Sequence, residues 1–122
     1  GVLMANNIAF QQMGKTIKVT AGANVANTLA MTADSPSNQY LVVNHEKTNG
    51  TGAPVYVRIS ATNSNAGLPT GNNTNSAYGI PIPPGTMFVF SGPQCTNTTP
   101  VYVSVIAESD SPELYITPGE GL

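Results

Sequence analysis

The sequence predicts one all-β domain, either an antiparallel β-sandwich or a jelly-roll-like barrel of about eight strands. Short runs of alternating apolar and polar residues recur along the 122 residues, at the roughly ten-to-fifteen-residue spacing typical of such folds. The runs are closed by Gly, Pro or Asn, which are turn-forming residues. No apolar stripe at helical spacing persists beyond one turn, and this argues against helices.

The clearest strands, in chain order, are predicted at 16–20, 39–44, 55–60, 87–90, 101–106 and 113–117. In the 55–60 run, Val55, Val57 and Ile59 share one face, because successive side chains of a strand point to opposite sides. Weaker strands are predicted at 8–10, 27–31 and 78–82. Most of the ten prolines lie between these runs, where a missing N–H costs nothing.

The domain itself is predicted to span residues 14–122. Residues 1–13 are apolar enough for an N-terminal arm that extends to a partner, although a frayed terminus explains them equally well. Residues 61–77 form a long Asn-rich loop whose one large apolar residue is Leu68. A loop of this length is usually functional or mobile.

Charged residues are unusually few. Asp, Glu, Lys and Arg make up 8% of the chain, against about 25% in an average domain. Because charged side chains supply the acids, bases and cation ligands of catalysis, the composition predicts a non-enzyme that lies against other proteins. The net charge of −2 and four scattered cations indicate no nucleic-acid partner, and no apolar run is long enough to predict a membrane span.

His45 is the single histidine, and it stands next to Glu46 and Lys47. The group resembles a general base with a neighbouring carboxylate, but no nucleophile motif accompanies it. The favoured interpretation is the polar tip of a hairpin between the strands at 39–44 and 55–60.

The lone Cys95 excludes an internal disulfide and a cysteine metal site. A single cysteine fits folding in a reducing compartment, and Cys95 is predicted to be a small, semi-buried structural thiol. Glu108, Asp110 and Glu113 could together hold calcium, but the spacing matches no calcium loop. A solvated acidic turn is therefore favoured, and no metal or cofactor is predicted.

The aromatic residues supply the candidate contact sites. Tyr40, Tyr56 and Tyr102 are expected to share one sheet face, where tyrosine serves packing or protein contacts. The candidate interface residues are Phe10, Tyr40, Tyr56, Tyr102 and Tyr115.

Four segments, in order, resemble a family of small tailed-bacteriophage virion proteins. They are 9–16 (AFQQMGKT), 37–44 (SNQYLVVN), 82–86 (IPPGT) and 113–122 (ELYITPGEGL), of which the last matches best. The resemblance implies a capsid cement (decoration) protein, a non-enzymatic β-sandwich made in the host cytoplasm and located on the capsid exterior. Its partners would be the major capsid protein, whose neighbouring subunits it clamps, and further copies of itself in a dimer or trimer.

Two other classes of function stay open at this point. The amides and hydroxyls of loop 61–77 could bind sugar hydroxyls, as in a receptor- or glycan-binding module at a fibre tip. The missing Trp counts against a sugar platform. An enzyme is the third possibility, and it would depend on His45 or Cys95.

Overall fold

The computed structural model describes residues 9–45, 53–71 and 78–121. Within them the protein is all-β, as predicted, and has no helix. The nine strands are β1 (Gln11–Gln12), β2 (Ile17–Thr20), β3 (Asn27–Met31), β4 (Ser37–Asn44), β5 (Val55–Ser60), β6 (Ile80–Ile82), β7 (Thr86–Cys95), β8 (Val101–Ile106) and β9 (Glu113–Glu120). None of the described residues belongs to a helix that could cross a bilayer.

Two antiparallel sheets face each other, which confirms the predicted β-sandwich. The five-stranded sheet has the order β1-β9-β4-β7, and β2 also pairs with β9. The four-stranded sheet has the order β3-β8-β5-β6. Strands β6 and β7 therefore stand at the same side of the sandwich, while β2 and β3 meet at the other side.

The core fills the space between the sheets. From the five-stranded sheet it contains Val42, Leu114 and Ile116, and from the four-stranded sheet Val57 and Val103, all at most 2% exposed. Each alternates with an outward neighbour, as the two-residue period of a strand requires. Burying one such side chain contributes about 1.5–3 kcal/mol, so this face-to-face packing is the main source of stability.

Asn44 is a polar residue inside that core and is fully buried. Its Nδ2 donates to the carbonyl of Ala53 at 3.0 Å and to that of Ile82 at 2.7 Å. The side chain thereby ties the end of β4 to the start of β5 and the end of β6, and so joins the two sheets.

The predicted hairpin at His45 is wrong. β4 pairs with β7 and β9 in the five-stranded sheet, whereas β5 pairs with β6 and β8 in the other. The connection between β4 and β5 therefore passes from one sheet to the other. A short polar connection between two alternating runs fits both arrangements, so its sequence did not distinguish them. Glu46 and Lys47 lie outside the described residues.

Two strands extend beyond their predicted ends. β7 continues to Cys95 and β9 to Glu120, although Gly and Pro inside these segments usually end strands. Pro118 lies opposite the gap between β1 and β2, since Gln12 pairs with Gly119 and Ile17 with Ile116. A residue without an N–H is tolerated at such a gap.

The boundary predicted at residue 13 is also corrected, because the sheet already includes Gln11 and Gln12, paired with β9. Gly119 makes this pairing possible: a Cβ there would collide with the Phe10 ring and the Gln11 carbonyl. The weak strand predicted at 8–10 is thus replaced by β1. Residues 1–8, which make up most of the predicted arm, lie outside the described residues.

Candidate interaction surfaces

The structure distributes the five candidate interface residues over four places. Tyr115 lies on the outer face of the five-stranded sheet, because Leu114 and Ile116 beside it point into the core. Tyr56 and Tyr102 lie on the outer face of the four-stranded sheet, each half-buried. Phe10 packs against Gly119 next to β1.

Tyr40 does not share a face with Tyr56 and Tyr102, so that prediction is wrong. Its ring is 0% exposed and belongs to the core, and its hydroxyl donates to the carbonyl of Pro93. Burial raises the pKa of Tyr40 well above its ordinary value. A hydrogen bond with Cys95 and the electrostatic effect of Cys95 raise the pKa further. A fully buried ring offers no contact surface, which removes Tyr40 from the interface candidates.

The outer face of the five-stranded sheet is apolar across three strands. Val43 is paired with Met87 of β7 on one side and with Tyr115 of β9 on the other. Leu41 and Val89 are paired one step further along. Because paired residues share a face, these five side chains form one surface, which we call the apolar sheet face.

The borders of the apolar sheet face are polar. The His45 ring meets the Tyr115 ring edge-on, at 6.2 Å between ring centroids and 74° between planes. Lys18 Nζ lies 3.5 Å from Glu113 Oε2, both partly exposed. An apolar centre with a polar rim is the usual anatomy of a protein contact surface.

The outer face of the four-stranded sheet is covered by the chain itself. Residues 61–71, which we call the cover segment, run over it and bury Ala66 to 6% exposure. The amide of Ala66 donates to Ser104 Oγ at 2.7 Å. Thr28 Oγ1 donates to Asn65 Oδ1 at 2.7 Å and lies 2.8 Å from Ser104 Oγ.

The return of the cover segment is held in place as well. Gly67 N–H donates to the carbonyl of Tyr78 at 3.2 Å. The Arg58 guanidinium lies 4.5 Å from the centre of the Tyr78 ring and donates to the Asn65 carbonyl at 3.4 Å. Residues 61–71 of the predicted loop 61–77 are therefore held against the four-stranded sheet by these contacts. Residues 72–77, to which the prediction of mobility or ligand binding also applied, lie outside the described residues.

A groove opens between the sheets beside β6 and β7. It has a volume of about 350 Å³, and its walls include Val57 and Ile59 from β5, Ile80 from β6 and Phe90 from β7. Arg58 is the one charged residue in its lining. The groove is thus an apolar opening into the core at one side of the sandwich.

The residues considered for chemistry are not assembled into a reactive site. His45 is exposed, and its ring meets the Tyr115 ring edge-on. Cys95 is a free, fully buried thiol, more buried than the predicted semi-buried thiol. Glu108 and Asp110 are exposed, and Glu113 faces Lys18. The described ranges contain no group of three or more His, Cys, Asp or Glu placed to hold a metal ion.

Sequence reasoning missed two surfaces, the apolar sheet face and the side of the sandwich at β6 and β7. A signal for both was present in the run from Met87 to Phe90, which is apolar at every position. An alternating strand has one polar face, so a strand apolar on both faces must bury both or present one to a partner.

The comparisons with known proteins add no family or neighbour: no family model, curated protein or solved structure matches this chain.

Proposed function

We propose that this chain is a non-enzymatic structural protein of a virion, a decoration protein that binds the outside of a tailed-bacteriophage capsid. It would clamp neighbouring major-capsid subunits and stabilise the shell by surface burial. The observation that carries the proposal is the apolar sheet face, an uncharged surface left open on a domain with very few charges. Four segments resemble, in the same order along the chain, segments of phage decoration proteins. This resemblance indicates the class of partner, a capsid.

The order of strands supports a jelly-roll form of the sandwich. Strands β2-β9-β4-β7 form one sheet and β3-β8-β5-β6 the other, so that eight strands are distributed over two four-stranded layers. Double-sheet jelly rolls of eight strands are common in viral capsid proteins. A fold alone does not establish a function, so the site carries the argument.

The apolar sheet face is the better of the two outer faces for binding a capsid. The opposite face is covered by the cover segment, whereas Leu41, Val43 and Tyr115 are all partly exposed. Met87 on the same face is 51% exposed. Specific interfaces exclude charge from their centre and favour aromatic residues and Met, and this face has both features.

The proposal is tested by sedimenting the purified chain with capsids assembled without it, from the virus that encodes it. We expect saturable binding, and we expect Tyr115→Ser to weaken it by about thirty-fold, the effect of losing one aromatic anchor. Tyr102→Ser is the matched control, because it removes the same kind of half-buried tyrosine from the opposite face. That variant should bind as the unmodified chain does.

Two results would overturn the proposal. One is a correctly folded chain that fails to sediment with such capsids at any concentration tested. The other is consistent binding to a glycan array that is lost when the loop 61–77 is shortened, since this would establish the receptor-binding alternative. Equal loss in Tyr115→Ser and Tyr102→Ser would move the contact away from the apolar sheet face.

A further inference from the structure

β7 is a long strand with one edge unpaired by the described chain. It runs from Thr86 to Cys95 and pairs with β4. Among residues 9–45, 53–71 and 78–121, no strand pairs with its other edge. The backbone N–H and C=O groups along that edge form a template for another strand.

Exposed apolar side chains cluster at this side of the sandwich. Of the six large apolar residues that stay exposed in the described ranges, four lie here: Tyr78 (59%), Ile80 (50%), Met87 (51%) and Phe88 (45%). Phe88 lies 6.0 Å from Phe90, centroid to centroid, next to the groove between β6 and β7. Clustered exposure of this kind marks an interaction site.

Residues 86–91 of the β7 edge have none of the features that usually prevent strands from associating. Residues 86–91 (TMFVFS) contain no charge, no Pro and no Gly, and their pairing with β4 is regular from Gln39 to Asn44. The neighbouring edge strand β6 is different, because it has three residues and contains Pro81. Natural proteins protect sheet edges with charge, Pro, bulges or shortness, so an unprotected edge of six residues points to a partner.

We propose that residues 86–91, together with Tyr78 and Ile80, form a surface through which two copies of this chain associate. β7 of one copy pairs antiparallel with β7 of the other, and the two five-stranded sheets become continuous. We call this surface the β7 edge. The inference deepens the proposed function, because a decoration protein of this kind is expected to be a homo-oligomer. It rests on that function only where it concerns what the dimer does in the virion.

A second copy fits the β7 edge because an antiparallel pair of identical strands is self-complementary. A two-fold axis gives each copy the same contacts, as in most soluble dimers. Paired residues share a face, so Phe88 and Phe90 of one copy meet the same two residues of the other, on the side where the groove opens. The strand is uncharged, so pairing of β7 with its copy buries no charge of the strand itself.

The exposed surface is also of a suitable size. Side chains of this kind bury about 150–250 Å² each, so the four together expose roughly 400 Å² at their observed fractions. That is about half of the roughly 800 Å² per partner in a standard interface. The backbone edge of β7, Phe90, Ser91 and the rim at Arg58 would supply much of the remainder.

Analytical ultracentrifugation of the full chain tests the inference. We expect a dimer at micromolar concentration, and we expect Phe88→Lys to raise the dimer dissociation constant at least about thirty-fold. Leu29→Lys is the matched control: Leu29 is also a partly exposed apolar residue (38%), on the edge strand β3 of the other sheet. It should leave the dimer unchanged, and circular dichroism should show that both variants are folded.

Cross-linking tests the pairing itself. Paired residues share a face, so the two Phe88 side chains lie on the same face only in certain registers. In each of these registers, one residue of β7 lies directly opposite the same residue of the other copy. Single cysteines placed at 87, 88, 89 and 90 should therefore give one strongly preferred disulfide dimer under mild oxidation. A cysteine at 29 should give none. The fully buried Cys95 does not compete.

Several outcomes would overturn the inference: a monomer at all concentrations, a dimer that Phe88→Lys leaves intact, or a dimer without cross-linking at any of the four positions. A monomer whose β7 amides resist hydrogen exchange on both edges would show that the chain covers this edge itself. Failure of the proposed function is distinguishable, because a β7-edge dimer without capsid affinity refutes only that function. A monomer that binds capsids refutes only the β7 edge.

Discussion

At the scale of single residues, Asn44 has the clearest structural role. Its two hydrogen bonds satisfy the carbonyls of Ala53 and Ile82 at a point where both sheets and two connections meet. We predict that Asn44→Ala lowers the free energy of unfolding by about 2–4 kcal/mol, because two buried carbonyls lose their donor. Urea denaturation measures the loss.

Asn38→Ala is the control for Asn44→Ala, since Asn38 is an exposed asparagine near the other end of the same strand. It should change the free energy of unfolding by no more than about 0.5 kcal/mol. Equal effects of the two substitutions would contradict the role of Asn44 as a buried tie between the sheets.

Tyr40 gives a prediction about pH. Its pKa is raised in the folded state, mainly by burial, so the folded protein keeps this phenol neutral at a pH where the unfolded chain ionises it. The contribution of this neutral phenol to the free energy of unfolding is therefore complete below about pH 10, the pKa of tyrosine in the unfolded chain. It is lost as the pH rises above that value. Tyr40→Phe should therefore make the denaturation midpoint fall less steeply above pH 10. An unchanged slope would contradict a buried, neutral Tyr40.

At the scale of elements, the cover segment depends on Ser104, whose hydroxyl oxygen accepts a hydrogen bond from the Ala66 amide. We predict that Ser104→Ala raises the hydrogen-exchange rate of that amide and lowers the free energy of unfolding by about 1–3 kcal/mol. Ser109→Ala, in an exposed turn, should change neither. If the exchange of Ala66 stays slow in Ser104→Ala, the cover segment is held by other contacts.

The sequence predicted elements better than their arrangement. The bounds of β3, β5 and β8 were predicted as observed. In β5 and β8 the alternation is regular, whereas β3 was only one of the weaker strands predicted. The ends of β7 and β9 were not predicted as observed, since Gly92, Pro93 and Pro118 stop a strand in most contexts but are tolerated here by bulges and gaps. The assignment of β4 and β5 to different sheets depends on contacts distant in sequence, and local alternation carries no information about them.

The candidate surfaces were only partly predictable. Tyr115 follows from its outward register on β9 once that strand is placed. Tyr40 was misplaced because its face depends on which sheet β4 joins. The cover segment was missed because its contacts are hydrogen bonds to Ser104 and Thr28, and polar residues in a loop do not reveal their partners. Small residues such as Ala66 and Gly67 were the one available hint of close packing.

At the scale of the whole molecule, charged residues are scarce, so we expect the proposed association to depend on the burial of apolar surface. Lys18 and Glu113 pair within the chain at its exposed surface, and such a pair contributes at most about 1 kcal/mol. We predict that Lys18→Met leaves both the free energy of unfolding and the dimer dissociation constant nearly unchanged. Both should also change little between low and high salt, because screening acts on exposed charges. A strong salt dependence would show that charge drives the assembly.

The central claim is that this domain stabilises a capsid shell, and the most direct measurement is the temperature at which DNA-filled capsids assembled without the chain release their DNA. Fluorescence of a DNA-binding dye reports the release during heating. We predict that adding the purified chain raises this temperature until the capsid sites are saturated, and that Tyr115→Ser has this effect only at higher concentration. A release temperature that stays the same at saturating concentrations of the folded chain would contradict the claim.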